Sequence, residues 1–300
     1  MNNKRIFAHI ALFTVALIYG ANYIIAKGVM TGGYLQPEGF ILMRILTGTI
    51  LFWLIHLFIF KEKVRTKDLP LLAICGAFGI AINQLFFFKG LKLTSPINAS
   101  IIMITTPILV LLFSAIISNT RVTILKGLGV IIGAIGAFVI IMSGSADSIM
   151  SMGSQGDIYI FINAASYAIY LVLVKRLMSK YHPLTIMKWV FLFGLIYVVG
   201  FGYQQLLVVQ WQAFPTSIWW AIFYVLIFTT FLAYLLNVTA IKWVSPSVVS
   251  VYIYLQPVIA TVFALTLTNE KLKMDQIWAA LLIGIAVYMV SFRKRNIKGN

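Results

Sequence analysis

Ser95-Pro96-Ile97-Asn98-Ala99-Ser100-Ile101-Ile102-Met103-Ile104-Thr105-Thr106-Pro107 and Ser245-Pro246-Ser247-Val248-Val249-Ser250-Val251-Tyr252-Ile253-Tyr254-Leu255-Gln256-Pro257 carry one pattern twice: a Ser-Pro pair with a second proline 11 positions on, displaced by 150 residues. At the same displacement Leu85, Lys92, Ser100, Phe113 and Asn119 meet Leu235, Lys242, Ser250, Phe263 and Asn269. A unit of that length is too long for a solenoid repeat, so the chain reads as two duplicated halves packed against each other.

The sequence around this pattern is apolar. Hydrophobic residues make up 61% of the chain and charged ones 10%, with a mean hydropathy of +0.99, which identifies an integral membrane protein. A formal charge of +16 would suggest nucleic acid in a soluble protein. Here most Lys and Arg fall in short gaps between apolar runs of about 20 residues, so loops facing the cytoplasm account for them and no nucleic-acid partner is expected. Cys75 stands alone in an apolar stretch, which excludes a disulfide framework and a thiolate metal cluster. Lys4 and Arg5 precede an apolar run long enough to span, with no small-residue cleavage site in view.

Apolar windows give ten expected helices at residues 6–26, 40–60, 69–88, 99–117, 125–142, 158–174, 185–204, 218–236, 247–268 and 276–292. With the N-terminus inside, 17 Lys and Arg fall on the inner side and five, Lys27, Lys89, Lys92, Lys271 and Lys273, on the outer; Arg44 falls within a span. Positive residues resist translocation, so both termini are expected inside a cytoplasmic (inner) membrane that the chain crosses many times. Five helices is an odd number, which inverts the second half (156–300) relative to the first (1–145). Pro107 and Pro257 then lie part-way along helices four and nine. Each removes a backbone donor whose loss lipid cannot make good, but a neighbouring helix or wet cavity can. Paired helix breaks in inverted halves point to a central site with alternating access.

With Ile18-Tyr19-Gly20-Ala21-Asn22 in helix one, Arg44 early in helix two, the doubled Ser-Pro and helix-proline pattern, and the Asn269-Glu270-Lys271 turn, the chain resembles ten-helix transporters of the drug/metabolite superfamily, of the EamA-domain type. The first half departs from the family pattern with Asn119-Thr120 where an acidic residue is common. The resemblance covers nearly the whole length. It implies secondary transport of small metabolites, often export, and an arginine recurring at position 44.

Polar groups inside spans need a partner, a cavity or a short route to water. Arg44 admits three readings: substrate contact, snorkelling over about 7 Å, or a bond to backbone carbonyls. Tyr252 and Gln256 share a face of helix nine, and Thr105, Thr106 and Pro107 repeat that wall in helix four, either as a ligand wall or as ties between helices. Tyr19, Asn22 and Tyr23 form a stripe in helix one, and Asn163, Ser166, Tyr167 and Tyr170 one in helix six. Overlaying Lys27 on Lys175 superposes Tyr19 on Tyr167 and Asn22 on Tyr170. Asn83 and Gln84 in helix three, with Thr230, Tyr234 and Asn237 in helix eight, complete the expected lining. Trp53, Trp211, Trp219, Trp220 and Trp278 suit an interfacial belt. Glycines of helix five, with Ala280 and Gly284 of helix ten, are expected to let helices pack closely, and exposed glycine faces there would permit a homodimer.

All seven acids fall in loops or at helix ends, Asp157 and Asp275 reading as N-caps, and His9, His56 and His182 as surface or packing residues. Proton coupling through a buried acid, metal ions and polyamines are therefore disfavoured, and no cofactor is expected. The expected substrate is a small neutral, zwitterionic or anionic organic molecule, such as an amino acid or derivative. A membrane enzyme acting on a lipid-linked substrate would need a nucleophile and base, an acid pair or a metal motif, none of which can be identified; a passive metabolite pore is the other alternative.

Overall fold

The computed structural model describes residues 3–59, 62–118, 124–143, 152–241, 252, 255–267 and 272–291. Ser245-Pro246, Asn119-Thr120 and the Asn269-Glu270-Lys271 turn lie outside the described residues. Helices occupy the described spans. They are α1 (Asn3–Thr31), α2 (Pro37–Ile59), α3 (Leu69–Gly76, Ala77–Ala81 and Ile82–Leu93 run together), α4 (Pro96–Met103 and Thr106–Ser118) and α5 (Ile124–Ser143). The second half supplies α6 (Met152–Met178), α7 (Pro183–Leu207), α8 (Thr216–Phe223, Tyr224–Leu232 and Ala233–Ile241 run together), α9 (Leu255–Leu267) and α10 (Met274–Ser291). Seven of these helical spans are long and apolar enough to cross a membrane, and the others are shorter and equally apolar. Many large apolar side chains face outward, among them Phe58, Ile116, Phe201, Trp220 and Trp278, as a lipid-facing surface requires.

The largest helix–helix contacts join one half to the other. α5 packs on α10 and α2 on α7, each helix on its own repeat mate. The next largest contacts come in exchanged pairs: α3 on α6 with α8 on α1, α4 on α6 with α9 on α1, and α3 on α7 with α8 on α2. That exchange is the contact signature of two equivalent halves interleaved into one bundle. Gly48 of α2 and Gly194 of α7 show it at atomic scale. A Cβ on Gly48 would come within 2.4 Å of Phe191 and 3.1 Å of Thr230, and one on Gly194 within 2.4 Å of Ile80, the residue that overlays Thr230. Any side chain at either position would drive the halves apart.

Ser95 explains why its motif begins a helix. Its Oγ accepts from Asn98 N at 3.0 Å, and Pro96 takes the first helical position, where no N–H is needed. Eleven residues on, Pro107 interrupts the same span. α4 stops at Met103, tightens so that Ile104 N and Thr105 N donate to the Ile101 and Ile102 carbonyls, and resumes at Thr106. Thr106 donates its hydroxyl at 2.8 Å to the Met103 carbonyl, the acceptor that Pro107 leaves without an N–H, and Thr105 adds a second donor to the Ile102 carbonyl at 2.7 Å. In α9, Pro257 occupies the third position of Leu255–Leu267, while residues 253–254 lie outside the described residues.

α3 and α8 each widen into a π-helical stretch, Ala77–Ala81 and Tyr224–Leu232. At the repeat displacement 77–81 overlays 227–231, so the two stretches are counterparts. Such turns leave backbone groups incompletely paired and cluster at functional sites.

Candidate functional site

Arg44 is the centre of the site. α2 begins at Pro37, so Arg44 lies about 10 Å into the span, deeper than the sequence spans suggested. It is 5% exposed and does not snorkel. Its Nε donates to Thr230 Oγ1 at 2.6 Å and its Nη2 reaches the Thr229 carbonyl at 3.5 Å, both in the π-helical stretch of α8. Thr230 can accept because its own hydroxyl proton goes to the Val225 carbonyl at 3.0 Å. The guanidinium carbon stands 5.4 Å from the Phe88 ring centre, within cation–π range. Among the described residues no carboxylate forms an ion pair with Arg44.

Aromatic and amide groups surround this cation. Tyr19 of α1, Tyr234 of α8 and Tyr167 of α6 lie in the same neighbourhood. Tyr167 and Tyr170 stack with ring centres 5.8 Å apart, and Tyr170 covers Gly79 in the π-helical stretch of α3. Beside Tyr234 the Gln84 amide, 2% exposed, closes no hydrogen bond of good geometry from either of its polar atoms. Asn22, also 2% exposed, leaves its Oδ1 unmet by protein. Leaving a buried amide unmet costs about 1–3 kcal/mol per group, so unmet amides in a buried, aromatic-walled interior are what a polar ligand would answer.

Other expected site residues do different work. Asn83 and Asn163 tie α3 to α6: each amide nitrogen donates to the other's carbonyl, at 3.3 and 2.6 Å. Ser166 donates to the Phe78 carbonyl at 2.5 Å, spanning from α6 to the π-helical stretch of α3. Thr106 is committed to the α4 break. Tyr252 donates to or accepts from His9 Nδ1 at 2.8 Å and packs with Ala8, Leu12 and Ala240, at the end of the bundle where α1 begins. Gln256 is half-buried beside Pro257. Sequence reasoning missed Thr229 and Phe88; a Thr-Thr pair inside an apolar span was the available signal for the first, and a phenylalanine among three in a row offered none for the second.

One expectation about a charged group is corrected, and another resolves to one of its two alternatives. His56 is a packing residue: it is buried, with Nδ1 3.2 Å from Lys188 Nζ, which lies 4.3 Å from the Trp53 ring centre. Asp157 is not an N-cap: α6 begins five residues earlier at Met152, and Asp157 is 0% exposed against α3 and α4. Its carboxylate accepts from Thr94 Oγ1 and from Asn98 Nδ2.

The chain matches the EamA-like transporter family twice, over residues 6–142 and 154–292. It is 28% identical over 296 residues to the "uncharacterized transporter YyaM" of Bacillus subtilis (strain 168), covering 96% of this chain and 94% of the relative. An "uncharacterized transporter" of Archaeoglobus fulgidus is 27% identical over 266 residues, 87% of this chain and 91% of the relative. A solved protein crystal structure shares the fold, with a TM-score of 0.63, 17% identity and 98% of both chains covered. Two family matches that together span nearly the whole chain, over ten apolar helices interleaved half with half, make this protein a member of the EamA-like transporter family.

Proposed function

We propose that this transporter carries small zwitterionic or anionic organic metabolites, such as amino acids or their derivatives, out of the cell by alternating access between its two halves. The observation that carries the reading is Arg44: a buried cation held by a threonine hydroxyl and a backbone carbonyl, with no carboxylate paired to it among the described residues. A guanidinium that no protein carboxylate neutralises favours a ligand bearing negative charge, bound through charge-assisted hydrogen bonds. The unmet amides of Gln84 and Asn22 supply an acceptor and a donor for a second polar group on the same ligand. Aromatic rings on α1, α3, α6 and α8 line its apolar part. The direction of transport follows from the resemblance, and the charge asymmetry of the loops favours both termini facing the cytoplasm. Burial of Thr94, Asn98, Asp157 and Gln276 at one end supports a carrier that seals one side, over an open pore.

The test is thermal stabilisation of the purified protein against a panel of amino acids, organic acids, their amides and organic amines. Carboxylates should raise the melting temperature where the matching amides and amines do not. Arg44→Ala should abolish that shift while Trp278→Ala, on the lipid-facing surface, preserves it. Equal stabilisation by amides, or equal loss in both variants, would contradict the assignment.

A further inference from the structure

We infer that Asp157 is a proton-binding site, and that a proton taken up there unlatches one end of the carrier. The inference does not depend on which metabolite is carried. Asp157 Oδ1 accepts from Thr94 Oγ1 and Oδ2 accepts from Asn98 Nδ2 at 3.2 Å. Asn98 Oδ1 accepts in turn from Gln276 Nε2 at 2.7 Å, and Gln276 Oε1 from Lys273 N at 2.9 Å. Thr94 and Asn98 belong to the first half, Asp157 and Gln276 to the second. The chain of bonds therefore stitches the halves together at the end of the bundle opposite the start of α1.

Both donors onto the carboxyl are neutral, and among the described residues Asp157 forms no ion pair. Among the described residues the charged groups around it are engaged or exposed. Lys27 Nζ of α1 donates to the Thr94 carbonyl at 2.6 Å, Lys89 pairs with Glu38 at 2.8 Å, Lys92 donates to Gln36 at 2.6 Å, and the side chains of Lys273 and Asp275 are exposed. Holding a carboxylate out of water without an ionic partner costs several kcal/mol, a cost that a proton removes. The proton also changes the bonding. A carboxylate only accepts, so it takes both Thr94 and Asn98; a carboxylic acid donates from one oxygen, where a bond from the Thr94 hydroxyl can reverse and a bond from the donor-only Asn98 amide nitrogen weakens. Asn98 lies in Pro96–Met103, the half of α4 that ends at the Ile104–Thr105 break. A proton on Oδ2, the oxygen that Asn98 meets, weakens that bond and frees the segment to swing at the break.

The other end of the bundle carries a counterpart. Under the overlay of Lys27 on Lys175, Asp157 takes the position of His9, whose bond to Tyr252 joins α1 to a residue of the second half. One titratable group thus bridges the halves at each end.

Infrared difference spectroscopy of the full protein in liposomes, titrated with acid between about pH 4 and 9, tests proton binding without any substrate. Wild type should gain the C=O band of a buried carboxylic acid, and Asp157→Asn should lose that band while Glu38→Gln keeps it. Where Asp157→Asn fails to fold, Thr94→Val, which keeps the carboxyl and removes one donor, should displace the pH of the transition. Hydrogen–deuterium exchange over 96–103, corrected for intrinsic pH dependence, should rise in acid for wild type and be insensitive to pH in Asp157→Asn. A wild-type spectrum with no Asp157 band, or exchange unchanged while the band appears, would overturn the inference.

Discussion

At position 44 a threonine hydroxyl and a backbone carbonyl hold a guanidinium that a structural role would ordinarily match with a carboxylate. Charge-assisted hydrogen bonds contribute about 1.5–3 kcal/mol, so Arg44→Ala should weaken carboxylate binding by roughly tenfold to 150-fold. Arg44→Lys should recover only part of this, because an ammonium lacks the planar fork. Gln84 gives a prediction of opposite sign for stability. Gln84→Met keeps the volume and removes two buried polar atoms that close no hydrogen bond of good geometry, so the melting point should rise by the equivalent of about 1 kcal/mol while binding falls. A Met variant that lost both stability and binding would show that the amide is satisfied within the protein. Arg44 was legible in the sequence because a charge inside a span advertises itself. Of its partners Thr230 was legible as a polar residue in the helix-eight stripe, whereas Thr229 was not, since its carbonyl turns toward the guanidinium only through a π-helical stretch that no residue type signals.

Among the elements, α5 and α10 form the most extensive repeat-mate pair. A Cβ on Gly136 would meet Ile283 at 2.7 Å and Leu282 at 3.1 Å, whereas one on Gly284 or Gly127 would meet nothing within 4 Å. Gly136→Val should therefore destabilise by about 1–3 kcal/mol through overpacking, and Gly284→Ala should be nearly neutral, as thermal unfolding in detergent would record. The glycine run thus serves contact between the halves at Gly133 and Gly136, and the open positions are where a second copy would have to dock. Helix periodicity and the two prolines announced the spans and the α4 break. They did not announce that Ser95 is a helix cap or that Asp157 lies in the second turn of α6: hydropathy windows start a helix where apolar residues start, and α6 begins earlier, in Met152-Gly153-Ser154-Gln155-Gly156.

For the whole molecule, the duplicated proline pattern marks two halves whose main contacts are with each other. A half expressed alone exposes the faces that α2, α3, α4 and α5 present to their partners. Fragment 1–145 alone should accumulate poorly, and co-expression with 156–300 should restore both as a complex that co-purifies. Accumulation of either half as a folded monomer would contradict interleaving. The inversion was readable from the odd helix count and the loop charges, but the exchange of contacts was not, because charge counting orders helices across the membrane and says nothing about which neighbours they choose.

Counterflow in liposomes joins the three scales. Vesicles loaded with a carboxylate that stabilises the protein should take up the same labelled compound faster than empty vesicles, by at least tenfold, and Arg44→Ala should remove that stimulation while Trp278→Ala retains it. Uptake that does not saturate, is indifferent to the internal load, or survives Arg44→Ala intact would contradict a carrier built around that arginine.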